Sequence, residues 1–263
     1  MNAASCKMRN FPLSARIHRI MIKSTTLPSL ILAGLLVPAA AVAENQTPEK
    51  VGWVETVSLD MHGWTVHAEK SLVSGEHEEL GKRALSMLAN HLERIAILVE
   101  GEPLEKLKSM EIFVEHNHPE LGAMQYHPSV GWLTERGYDP RLAKKVHITR
   151  AAQLVSRAQM LKHPAVILHE LAHAYHDQVL GFDHEGIIEA YEDAMEAGIY
   201  EDVLLYTGER VRHYATTDHK EYFAEATEAY FYRNDFYPFV RAELYEHDPA
   251  AHALMVEIWG EAR

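Results

Sequence analysis

The stretch Val166-Ile-Leu-His169-Glu170-Leu-Ala-His173-Ala-Tyr-His176-Asp177 places two histidines four positions apart, with a glutamate directly after the first. On a helix, positions i and i+4 lie on one face a turn apart, so His169 and His173 can hold one ion together. Neutral imidazole nitrogens are good zinc ligands. Glu170 then sits beside the ion rather than on it, where its carboxylate can act as general base toward a water acidified by the metal. The pattern alone is weak. With 18 histidines and 29 glutamates in 263 residues, chance gives His-Glu-x-x-His in roughly one such sequence in eight. Its setting strengthens it, because it lies in an apolar run of helical length between Pro164 and Gly181.

His176 continues the same face, but seven residues of helix rise about 10 Å, too far for three imidazoles to meet at ligand distances of about 2 Å. His176 is expected to support a ligand from outside or to lie at the surface. A third ligand must come from elsewhere, and Tyr214-Ala-Thr-Thr-Asp218-His-Lys-Glu221-Tyr-Phe-Ala-Glu225-Ala-Thr-Glu228 is the best segment. Glu221 and Glu225 share a helical face that Glu228 extends. The first can bind zinc, and the second can accept the spare N–H of a ligand histidine. Asp218 is the rival ligand. Tyr222, Phe223, Tyr230 and Phe231 leave little room for a simple amphipathic helix with its acids in water.

The elements that must position these groups read in order along the chain. Trp64–Ala68 alternates as a strand after a turn at Gly63, and His77–Glu100 repeats apolar residues at helical spacing. Met110–Glu115 and Lys145–Thr149 are short strand candidates. The latter, as an edge strand, could hold an extended substrate. Helices are expected at Ala165–Val179, Glu185–Ala197, Asp218–Tyr232, Pro238–Glu246 and Ala250–Trp259. The class expected is α+β: a small mixed sheet, an active-site helix and a mainly helical C-terminal half, in the element order of zincin-type peptidases. The remaining histidines (His62, His67, His116, His118, His127, His147) read as ordinary surface or core residues. Trp132 and Tyr138 read as cleft aromatics or packing.

From Met21 the chain carries Lys23, an apolar run from Leu27 to Ala43, and small residues at Ala41-Val42-Ala43. This is the pattern of a secretory signal peptide, with a single N-terminal membrane anchor as the plain alternative. Residues 1–43 are therefore expected to leave a single domain over 44–263, secreted or periplasmic, with no stable membrane insertion after cleavage. Either Met1 or Met21 could be the true start. Cleavage removes five of the 25 basic residues and none of the 38 acidic ones, so the formal charge moves from -13 to -18. Such a body lacks the positive footprint that nucleic acid requires. Cys6, the only cysteine, falls in the removed segment, so no disulfide staples the domain.

HELAH (169–173) followed by E-Y-F-A-E (221–225), with Tyr214 seven positions before the first glutamate, resembles the anthrax lethal factor type of zinc peptidase. That group includes secreted proline-specific endopeptidases of Gram-positive bacteria. The resemblance covers about residues 164–232. It implies one zinc per chain held by His169, His173 and Glu221, with Glu170 as general base. It also implies Tyr214 as donor to the developing oxyanion and Glu225 as the carboxylate that orients a ligand histidine. A peptide or protein is the substrate it implies. A non-catalytic zinc-binding relative, or a zinc hydrolase of a non-peptide substrate, is the alternative expectation.

Overall fold

A computed structural model describes residues 48–261, and the signal-peptide reading of residues 1–43 concerns residues outside that range. The sheet begins with a hairpin. β1 (Thr56–Met61) and β2 (Trp64–Glu69) pair antiparallel with Met61 opposite Trp64. His62 and Gly63 between them take φ of 54° and 92°, the conformation of a two-residue turn whose twist matches that of the strands. β2 buries Trp64, Val66 and Ala68 on one face, as its alternation predicts.

After the single turn α1 (Lys70–Val73) comes the long helix α2 (Glu78–Leu98), which buries Ala84, Leu88, Leu92 and Ile95 as one stripe. Gly81 lets α2 start hard against α1, since a Cβ there would lie 1.8 Å from the Leu72 carbonyl oxygen. α3 (Gly101–Lys108) leads into β3 (Ile112–Val114). β4 (Gln125–Tyr126), α4 (Val130–Glu135) and β5 (Val146–Ile148) follow. The sheet order is β1-β2-β3-β5-β4, with β5 parallel to β3 and β4 antiparallel to β5. The strand expected at Lys145–Thr149 therefore exists, but it is not an edge. β4 covers it and is itself the outermost strand, and two residues are too few to show alternation in the sequence.

Ile112, Val114, Val146 and Ile148 face the main core. Phe113 points the other way, into a smaller cluster with Leu133, Tyr138 and Leu142. His147 meets Phe113 edge-on there.

The second half is mainly helical. The short α5 (Ala151–Leu154) and α6 (Arg157–Lys162) precede α7 (Val166–Tyr175). The expected helix to Val179 instead widens at His176–Leu180 into a π turn, and Gly181 closes it at φ 86°. α8 (Glu185–Ala197), a small hairpin of β6 (Val203–Leu204) and β7 (Arg210–Val211), then α9 (His219–Phe231), α10 (Arg241–His247) and α11 (Pro249–Trp259) complete the chain. α7 and α9 pack on each other, and every residue of α9 from Tyr222 to Phe231 is buried. A helix enclosed this way buries its acidic face along with its apolar one, which is why its sequence does not read as a simple amphipathic helix. The architecture is a mixed sheet with helices, in keeping with the α+β class. Among the described residues no helix is long and apolar enough to cross a membrane.

Candidate metal centre

α7 brings His169 and His173 together with their Nε2 atoms 3.1 Å apart. From the facing helix, Glu221 sets Oε2 3.2 Å from His169 Nε2 and 3.2 Å from His173 Nε2. The three atoms form a nearly equilateral triangle. Ligands held at about 2.0–2.1 Å by a tetrahedral cation lie about 3.3–3.4 Å apart, so the triangle has the size of one face of such a site. These side chains can hold a metal ion. They border a cleft of about 700 Å³ lined also by Glu170, Tyr214, Gln125, Tyr126 and Phe236.

Asp218 has other work. As N-cap of α9 it accepts hydrogen bonds from the backbone N–H groups of Lys220 (2.9 Å) and Glu221 (3.0 Å), and it pairs with Lys220 Nζ at 2.8 Å. Burial pushes its carboxyl up, but Lys220 and the cap bonds hold it below the usual range. The rival ligand thus fixes the first turn of the helix from which Glu221 projects.

The orienting carboxylate is not Glu225. Glu225 Oε1 stops 3.9 Å from His169 Nδ1, whereas Glu228 Oε1 accepts from that nitrogen at 2.6 Å and from His163 Nε2 at 2.8 Å.

Electrostatics follow from burial and pairing. Desolvation alone would lower the His169 imidazole, but its hydrogen bonds to Glu221 and Glu228 outweigh burial and raise it in the metal-free chain. Glu221 moves the opposite way, its burial overcome by hydrogen bonds to His169 and His173. Glu170 is buried beside the triangle, and desolvation raises its carboxyl against the pull of both histidines. Tyr214 opens a short 3-10 turn whose N-cap is His213, and its hydroxyl lies 3.5 Å from Glu221 Oε1 at the cleft wall. Burial and the Glu221 charge raise its phenol, which keeps it a donor.

The other candidates lie elsewhere. His176 is not exposed, and it makes no hydrogen bond to a ligand residue. It is fully buried against Phe182, His219 and Phe223, and neither ring nitrogen has a hydrogen-bond partner among the described residues. His127 is buried and bonds His147 at 3.1 Å instead of lining the cleft. Trp132 and Tyr138 pack with His127 and His118, away from the cleft. Sequence reasoning missed His163. It directly precedes Pro164, and no spacing rule ties it to His169. Glu228 was visible only as an extension of the acidic face.

No protein-family model, curated protein or solved structure matches the chain.

Proposed function

We propose that this chain is a secreted, zinc-dependent peptidase of the zincin type. The single observation that carries the reading is the triangle of His169, His173 and Glu221, with Glu170 buried one residue along from the first ligand. Two imidazoles and one carboxylate are a donor set that catalytic zinc sites use, leaving a position open toward the cleft. Zinc would supply Lewis acidity there, lowering the pKa of water and polarising a carbonyl.

The protein's own groups supply the rest. Glu170 takes a proton from the attacking water and passes it to the leaving amine. Tyr214 donates its hydroxyl to the oxygen of the carbonyl under attack. The outermost strand, β4, borders the cleft through Gln125 and Tyr126, so an extended peptide can pair with its outer edge. This replaces Lys145–Thr149 as the docking strand.

The test pairs zinc content with cleavage of a broad peptide library, for the protein and for Glu170→Gln. About one zinc in both, with cleavage only by the unaltered chain, supports the proposal. Zinc in both and cleavage in neither points to the non-catalytic alternative, and absence of zinc from both sinks the metal reading.

A further inference from the structure

We propose that His163 is a positioning residue of the metal centre, acting through Glu228 to hold the ligand His169; this rests on the metal reading above. Glu228 Oε1 receives two ring nitrogens, His169 Nδ1 at 2.6 Å and His163 Nε2 at 2.8 Å. An ionised carboxylate only accepts hydrogen bonds, so each ring nitrogen must carry a proton. That fixes His169 with its proton on Nδ1 and its Nε2 lone pair directed at the triangle.

Proximity alone allows a different reading, a second ion between His163, His169 and Glu228. The distances decide. Ligand atoms on a tetrahedral cation lie about 3.3–3.4 Å apart, and the His169, His173 and Glu221 atoms are spaced close to that at 3.1–3.2 Å. The contacts at 2.6 and 2.8 Å are charge-assisted hydrogen bonds instead.

The brace depends on its outer member. Glu228 is fully buried, and a buried carboxylate is stable only while donors replace the water it has lost. Its Oε2 has no partner among the described residues, so His163 is one of only two side chains that satisfy it. Glu225 makes no hydrogen bond to Glu228 among the described residues, and its own Oε2 has no partner there. His163 comes from the segment before Pro164, outside both helices that carry the ligands, and its ring borders the cleft. The metal centre is therefore held from three elements instead of two.

The experiment measures the zinc dissociation constant of the full chain by chelator competition, with metal-free melts confirming that each variant folds. His163→Ala is expected to weaken zinc about 10–100-fold. His163→Gln, which keeps an N–H at a similar reach, should recover most of the loss. Because both residues act along one line, His163→Ala combined with Glu228→Ala should be no weaker than Glu228→Ala alone. Glu225→Gln should stay within about threefold of the unaltered chain, well short of a brace residue's effect.

Zinc binding by His163→Ala within that same margin, in a protein that otherwise binds zinc, overturns the brace and leaves the metal reading standing. No zinc in the unaltered protein overturns both. Should His163→Ala fail to fold, nitrogen spectra of 15N-histidine in the unaltered zinc-loaded chain decide. His169 protonated at Nδ1 and His163 protonated at Nε2 support the brace, and the other tautomer at either ring overturns it.

Discussion

Tyr126 donates a 2.5 Å hydrogen bond to Asp177 Oδ2, the oxygen that also meets Lys144 Nζ at 2.5 Å. The bond ties β4, the strand bordering the cleft, to the π turn that leaves the histidine-bearing helix α7. Tyr126→Phe removes it while leaving Asp177 its lysine. The expected loss is about 1 kcal/mol of stability, read from urea unfolding. If β4 docks the substrate, KM for peptides rises severalfold with bound zinc unchanged. An unaltered KM would mean that β4 keeps its place without this bond.

Asp218 and Glu221 separate cleanly by their work. Asp218→Ala loses a helix cap and is expected to lower stability by about 1 kcal/mol while zinc stays bound. Glu221→Ala removes a corner of the triangle and should abolish stoichiometric zinc. Metal analysis after gel filtration checks both, and the reverse pattern would make Asp218 the ligand.

Tyr214→Phe keeps the ring and removes the donor. Loss of one preorganised donor to an oxyanion costs about 100–1,000-fold in kcat. Zinc content and KM should hold. A variant with full kcat would remove Tyr214 from the reaction.

Acid should unfold the protein steeply. Burial holds five imidazoles neutral, pushing His91 down to about 4 and His127, His147, His176 and His213 to about 3. Unfolding returns each to about 6.5, so below that pH the unfolded chain binds protons that the folded chain refuses. Their contribution to stability is complete above about pH 6.5 and is lost as pH falls toward 3. Glu115, pushed up to about 8 by burial, and Glu225, raised by burial and by Glu228, work in the opposite sense above their ordinary range. With His118 and His252 also lowered by burial, the depressed rings outnumber the raised carboxyls Glu115, Glu170, Glu225 and Asp235, so stability falls as pH drops from 7 to 5.5. Urea midpoints of the metal-free chain at pH 7 and pH 5.5 test this. Equal midpoints would mean that these rings are already charged in the fold.

The local relationships were legible in the sequence. The interval between His169 and His173 is a property of one helix, and 3.6 residues per turn puts both on one face whatever surrounds them. The α2 stripe, the β2 alternation and the bounds of α8 are likewise written in short-range periodicity. What lay between elements was not. Whether Asp218 or Glu221 faces the histidines depends on where α9 begins, and the cap bonds that settle it form only in the folded chain. Whether Glu225 or Glu228 reaches His169 depends on how α7 crosses α9, which no spacing within one helix records. His163 joins them from a third segment, and His176 is sealed among rings from α9 and from the loop after the π turn. β4 became the edge strand through a pairing too short to leave a pattern. Sequence spacing determines which groups can share a face, and packing determines what that face meets.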